Sequence, residues 1–321
     1  MAFKLRQLAH ALAVMHHGNF RRAAAEQHIS QPALSRSIQS LEESLGVLLF
    51  DRQATELKPT AFGEVFFRRA EAILLEAAEL EREMTLMKGL DTGGLSLAMG
   101  VYAAELSGNL AVAELLKAHP GLQIQLQMRH WRDVERVVRA RQVDMGYGEI
   151  GHLRDAPGLR VEPVGQHEVL FFCRAGHPML ARDSVTAEDL DAYPMASPPI
   201  PSRVAHLFPR NRRVDEASGD LFPPVLVEDL TAIRTIVVRT DAFGMASPLQ
   251  IASWLRSGEL AVVPLRAPWM RLDYGFISLE ARSLSPAAEA FMALARDIDR
   301  EIGERNRALI DEMFQGLEPG A

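Results

Sequence analysis

The chain has 321 residues, 48% hydrophobic and 24% charged, with a formal net charge of −7. This composition fits a globular protein of about two or three domains and excludes a disordered or fibrous chain. The acidic balance argues against whole-surface attraction to nucleic acid but leaves room for a locally basic site.

Cys173 is the only cysteine, which excludes an intramolecular disulfide and a cysteine-rich metal site. It lies in the apolar stretch "VLFFCRA" and reads as a buried, inert thiol. No segment reaches about 18 uninterrupted apolar residues, and the N-terminus lacks the pattern of a secretory signal. The expected compartment is therefore the cytoplasm, with no membrane partner.

The front of the chain, to about residue 60, reads as short helices. Leu5, Leu8, Leu12 and Met15 form an apolar stripe that Gly18 ends. Asn19 is placed to cap a second helix, and Ser30 a third. Pro32 falls in the first turn of the third helix, where a missing N–H costs little, and Gly46 ends it. Leu34, Ile38 and Leu41 give this helix one apolar face; Gln31, Ser35, Arg36 and Gln39 occupy the other. "LLFDR" followed by "QATELKPT" reads as a small β-wing. Lys4, Arg6, Arg21, Arg22, Arg36, Arg52 and Lys58 stand here against Glu26, Glu42, Glu43, Asp51 and Glu56, so the front of an acidic chain is slightly basic.

Two short helices, a tight turn and a capped third helix describe a helix-turn-helix, whose last helix enters the major groove of double-stranded DNA. Gln31 and Gln39 have the amide pair that reads adenine, and Arg36 the fork that reads guanine. Ser30 and Ser35 are short enough to let the backbone approach phosphate.

A long helix is expected over 60–88, opened by Thr60. Gly63, Ala70, Ala77 and Met84 recur every seven residues, and Phe66, Ile73, Leu80 and Met87 repeat three positions later. That spacing predicts a seam between two copies of the helix. "GLDTGG" (89–94) is a linker.

Beyond it the pattern turns to strand–helix alternation. Strands are expected at 95–100, 122–129, 143–148, 167–175, 225–230, 259–265 and 272–279, and helices at about 104–118, 131–141, near 186–191 and 286–303. This is an α/β domain with a mostly parallel sheet, large enough to form two lobes with a ligand site in the cleft between them. Three loops converge there: Val101, Tyr102 and Ala103; His130, Trp131 and Arg132; and the crossover "SPPIPSR", with Ile200, Ser202 and Arg203. Phe243 in "TDAFG" is a further candidate.

The histidines lack metal-ligand spacing, and no Gly-x-Ser-x-Gly elbow or phosphate-cradling loop occurs. No metal, cofactor or enzymatic reaction is therefore expected. The competing reading is a small-molecule binding protein of the periplasmic type with no DNA function.

The block "NFRRAAAEQHISQPALSRSIQSLEESLGVLLFDR" (19–52) resembles the N-terminal signature of the LysR-type transcriptional regulators. "LKPTAFG" (57–63) and "SLSPAAEAFMALAR" (283–296) are similar to later segments of that family. The resemblance implies a winged helix-turn-helix over 1–60, a dimerising linker helix and hinge over 61–92, and a periplasmic-binding-protein-like effector domain over 93–303. In that domain lobe I covers about 93–166 and 272–303, lobe II about 167–271, and residues 304–321 are left as a tail. It further implies a homotetramer on promoter DNA and a small-molecule effector in the cleft. By position, Gln31, Pro32, Ser35 and Arg36 would meet the major groove and Arg52 a phosphate. Two departures stand out. Thr55 and Glu56 occupy places where the family often has arginines, leaving Lys58 as the wing cation. Tyr102 stands where family members often carry Ser or Thr, so an aromatic or largely apolar effector with at most one acidic group is expected.

Overall fold

A computed structural model describes residues 3–51, 57–86, 93–153, 155–182, 184–205, 208, 213–216 and 218–315. The chain divides into two compact units, with the boundary between Met87 and Lys88.

The first unit holds α1 (Leu5–His17), α2 (Phe20–Glu26) and α3 (Gln31–Leu45), then strands β1 (Phe50–Asp51) and β2 (Lys58–Pro59). Leu8, Leu12, Ala23, Leu34, Ile38 and Leu41 form its core. Gly18, at φ +58°, ends α1 in a left-handed turn that a side chain would strain. Asn19 caps α2 by accepting the N–H groups of Arg21 and Arg22. Ser30 holds the cap position of α3, but its side chain makes no capping bond there. The wing pairs antiparallel, Phe50 with Pro59 and Asp51 with Lys58. Buried Glu42 accepts the N–H of Leu49 at 2.8 Å and so ties α3 to the wing.

Helix α4 (Ala61–Leu86) starts at Thr60, whose Oγ1 accepts the N–H of Gly63 and donates to Leu48 O. A Cβ at Gly63 would lie 2.2 Å from Leu49 O, so only glycine lets the helix approach the wing this closely. The expected seam divides in two. Gly63, Phe67 and Ala70 are buried, and Phe66 packs with them against the helix-turn-helix core. Ile73, Leu80 and Met84 are exposed and Ala77 is half-buried. Gly63, Phe66 and Ala70 thus serve their own unit, because α4 needs an anchor before it projects. Met87 lies outside the described residues.

In the second unit β3 (Gly94–Gly100) leads into a helical run made of α5 (Val101–Ala103), a π turn (Ala104–Gly108) and α6 (Asn109–Ala118). Strand β4 (Gln123–Arg129), α7 (Trp131–Arg139), β5 (Met145–Glu149) and β6 (Leu159–Glu168) follow. Next come β7 (Leu170–Arg174), 3-10 turns at Pro178–Ala181 and Glu188–Ala192, β8 (Ala196–Ser197), α8 (Ser202–Ala205), β9 (Arg213–Val214), β10 (Leu221–Phe222) and β11 (Val225–Leu226). The chain then makes α9 (Leu230–Arg239), β12 (Gly244–Ala246), α10 (Pro248–Ser257), β13 (Leu260–Val262), β14 (Arg271–Leu279) and α11 (Pro286–Met313).

Two sheets form the two lobes. The first runs β4-β3-β5-β14-β6, the second β12-β7-β13. The expectation of a mostly parallel sheet needs correction. Strands β4, β3 and β5 are parallel, but β14 is antiparallel to both β5 and β6, and the second sheet is antiparallel throughout. The reason is the chain path. Strand β6 leaves the first lobe, β14 brings the chain back, and the two pair along nine residue positions.

The tail expected from residue 304 is also corrected. Helix α11 continues to Met313, with Phe291 and Ala295 in the first lobe's core and Ile310 and Phe314 against Leu170, Ile233 and Ile251 of the second. No described helix is long and apolar enough to cross a membrane.

Candidate nucleic-acid face and ligand cleft

The polar face of α3 is presented as its sequence periodicity requires. Gln31, Pro32, Arg36 and Gln39 are exposed, as is Ser30, while Ser35 is half-buried. Leu34, Ile38 and Leu41 are fully buried beneath them. His10 Nδ1 lies 2.7 Å from Ser37 Oγ and fixes the rotation of α3 on α1. Gln39 already donates to Glu43 within the helix, at 3.0 Å, so reading a base edge requires it to change partner. Lys58 is exposed on the wing; Arg52, Thr55 and Glu56 lie outside the described residues. Arg21 and Arg22 are exposed at the start of α2, and His28 turns the chain between α2 and α3 at φ +53°.

The second unit has a cleft at the C-terminal ends of β3 and β4, where the lobes meet. It encloses about 680 Å³ between protein atoms, its mouth included. Of the expected residues, Val101, Tyr102, Ala103, His130, Trp131 and Ile200 line it. The others lie elsewhere. Phe243 is fully buried in the second lobe's core, 5.9 Å from Phe171 between ring centroids. Arg132 is held by both carboxylate oxygens of buried Asp220, which also accepts the Ser202 N–H at 3.0 Å. Arg203 donates to Glu149 Oε1 at 3.0 Å and to Arg271 O at 2.6 Å. The two arginines expected to grip an acidic ligand are thus already engaged by carboxylates.

Glu149, Tyr274, Met245 and Met270 join the lining although nothing in the sequence marks them. Glu149 and Tyr274 are 125 positions apart in the chain and face each other in the β5–β14 register. Pairing alone brings them together. Burial pushes the Glu149 carboxyl up, and Arg203 pulls against that shift.

Several bonds cross between the lobes. Arg132–Asp220, Arg203–Glu149 and the Trp131 indole N–H to Pro199 O, at 3.3 Å, hold one side. Tyr102 donates to Met245 O at 3.1 Å, and Arg234 reaches Glu105 at 3.1 Å on the other. Cys173 is fully buried, which raises its thiol to about 12 and leaves it without nucleophilic character.

Beside the cleft His152 packs edge-on against Trp131, with ring centroids 4.7 Å apart. Neither ring nitrogen has a hydrogen-bond partner among the described residues. Burial lowers its pKa from 6.5 to about 4, although Glu135 pulls the other way. The unfolded chain therefore takes up this proton first as the pH falls. Stability from this group is complete above about 6.5 and is lost as the pH drops toward 4, by up to about 3 kcal/mol. Thermal melts of His152→Leu between pH 7 and 4.5 are expected to show a flatter pH dependence than the unsubstituted chain. An unchanged slope would assign the acid sensitivity to another group.

The family comparisons agree with this geometry. Residues 5–64 match the bacterial regulatory helix-turn-helix protein, lysR family, and residues 88–299 the LysR substrate binding domain. The SDS degradation transcriptional activation protein of a Pseudomonas species is 34% identical over 300 residues, covering 92% of this chain and 96% of that protein. The HTH-type transcriptional regulator GbpR of Azospirillum brasilense is 29% identical, covering 91% of this chain and 86% of its own. Among solved structures, CbnR, a LysR family transcriptional regulator, superposes with a TM-score of 0.60 at 22% identity, over 92% of this chain and 99% of that one. Full-length CbnR complexed with its target DNA gives 0.58 at the same identity, over 92% of this chain and 100% of that one. Two family models spanning both units, and a relative 34% identical along nearly its whole length, place this chain in the LysR family of DNA-binding transcriptional regulators with an effector-binding domain, a family of regulators and not of enzymes.

Proposed function

We propose that Gln31, Pro32, Ser35 and Arg36 read the operator in the major groove, with Ser30, Gln39, Arg52 and Lys58 supporting them at phosphates or neighbouring bases. A largely apolar effector in the cleft changes how the bound dimers engage their sites. The observation that carries the first part is the exposure of the polar face of α3 over a fully buried Leu34, Ile38 and Leu41. The protein acts in the cytoplasm as a dimer through the linker helix, assembled further into a tetramer. Residues 1–60, 61–92 and 93 onward serve DNA binding, dimerisation and ligand sensing. The interlobe bonds supply the two-state element: a ligand that prefers one arrangement of the lobes shifts the population by its difference in affinity.

Replacing Gln31 or Arg36 with Ala is expected to cost about 1–3 kcal/mol at the operator and to relax base preference at particular positions. Footprinting and titration against operator and random DNA measure both effects. Equal losses on both DNAs would make these side chains phosphate contacts, and no loss on either would remove α3 from the interface.

A further inference from the structure

The polar groups in the cleft wall fall into two sets, and the second set defines the ligand. Most are engaged. The Tyr102 hydroxyl and the Trp131 indole N–H are donated across the lobes. Glu149 accepts from Arg203 and from the N–H groups of Gly151 and Asp273. The crossover segment brings few backbone donors. Pro198, Pro199 and Pro201 have no N–H, the Ile200 N–H is bonded to Leu221 O at 2.9 Å, and that of Ser202 belongs to Asp220.

Two groups remain. The Tyr274 hydroxyl and His130 Nε2 are buried and have no partner among the described residues. Tyr274 is 2% exposed. His130 Nδ1 accepts the N–H of Arg132 at 3.4 Å, so the proton of the neutral ring sits on Nε2. Burial holds that imidazole below its ordinary pKa and keeps it neutral. The wall thus carries an O–H and an N–H, set among Val101, Val169, Ile200, Met245, Met270 and Leu272. A buried donor without a partner costs free energy, and a ligand oxygen relieves it.

The charges in the lining argue against a carboxylate. They are Arg129, Glu149 and Glu228. Arg129 is exposed and donates to Gln127, and Arg132 and Arg203 are neutralised by Asp220 and Glu149. A carboxylate entering this cleft would lose its water and meet no unengaged buried cation.

Resting on the reading of the cleft as the effector site, we infer that it binds a small, uncharged, mostly apolar molecule with one hydrogen-bond-accepting oxygen, held by the Tyr274 hydroxyl and the His130 Nε2–H. Alcohols and ketones have this chemistry; short carboxylates do not.

Calorimetric titration of the full chain with 1-octanol against octanoate, and benzyl alcohol against benzoate, compares the head group on two matched bodies. The neutral member of at least one pair is expected to bind about tenfold or more tightly than its carboxylate. Tyr274→Phe should weaken that binding about tenfold while leaving the melting temperature of the free protein equal or higher, because it deletes an unsatisfied buried hydroxyl. A carboxylate that binds as well as its alcohol, or binding by none of the four, overturns the class. Alcohol binding untouched by both Tyr274→Phe and His130→Phe overturns the two-donor assignment. Alcohol binding that survives the cleft-blocking Val101→Trp overturns the cleft reading itself.

Discussion

Ile73→Glu is expected to separate the two copies joined through the linker helix without unfolding the protomer. Ile73 is 41% exposed in the single chain, and Leu80 and Met84, further along the same helix, are 59% and 50% exposed. Burying the remainder of such side chains stabilises an interface by about 1 kcal/mol each, counted twice across a symmetric pair. A carboxylate at position 73 of each copy would be buried in a dry seam, and that penalty exceeds the gain. In the isolated protomer the same side chain sits in water, where a substitution costs within about 0.5 kcal/mol. Sedimentation velocity should therefore report a smaller oligomer, and operator binding should fall to that of one half-site. The contrast is Ala70→Glu. Ala70 is 1% exposed inside the DNA-binding unit, so a charge there should unfold that unit rather than separate two copies. An unchanged oligomer for Ile73→Glu would take the seam out of the assembly.

That contrast shows what a heptad pattern can and cannot convey. The repeat through Ala70, Ile73, Ala77 and Leu80 is visible in the sequence, but within the single chain it is buried only as far as Ala70. The wing meets α4 at its first turns, through the close approach at Gly63 and the packing of Phe50 on Phe67. The helix-turn-helix was legible because local signals agree: a capped start at Asn19, Gly18 and Gly46 in left-handed turns, and period-3.6 burial in α3. Cleft residues on loops directly after strands, such as Val101, Tyr102 and Trp131, were legible for the same reason: strand ends meet loops where ligands bind. Arg132 and Arg203 were misjudged as ligand contacts because their carboxylate partners, Asp220 and Glu149, are 88 and 54 residues away. Tyr274 and Glu149 were silent because strand register is a long-range property. Helix α11 ran past its expected end because Ile310 finds its burial on the second lobe, a partner that periodicity does not name.

Asp299→Ala is expected to produce the largest loss of stability in the effector-binding unit. Asp299 is 2% exposed, and its carboxylate gathers groups from separate elements. Ser107 of the π turn donates to Oδ1 at 3.1 Å, Tyr147 of β5 lies 3.4 Å from the same oxygen, and His167 Nε2 of β6 is 3.0 Å from Oδ2. The approach is built for this side chain: a Cβ at Gly165 would lie 2.1 Å from Oδ2, so β6 needs glycine there. Truncation leaves buried Ser107, Tyr147 and His167 without their common acceptor, at a cost of about 3–5 kcal/mol. For a unit of this size that corresponds to a fall in melting temperature of about 10 °C. Asp299→Asn preserves shape and one acceptor oxygen and should lose about a third of that. The network also holds the elements on which the cleft depends. Strand β6 leads into the second lobe, and α11 carries Asn306, which accepts the Leu249 N–H at 3.0 Å. Loosening Asp299 should therefore weaken effector binding even though no atom of it lines the cleft. Scanning calorimetry with and without ligand separates the two effects. If Asp299→Ala melts within about 2 °C of the unsubstituted chain, the three donors have found water or one another, and the carboxylate does not hold the lobe together.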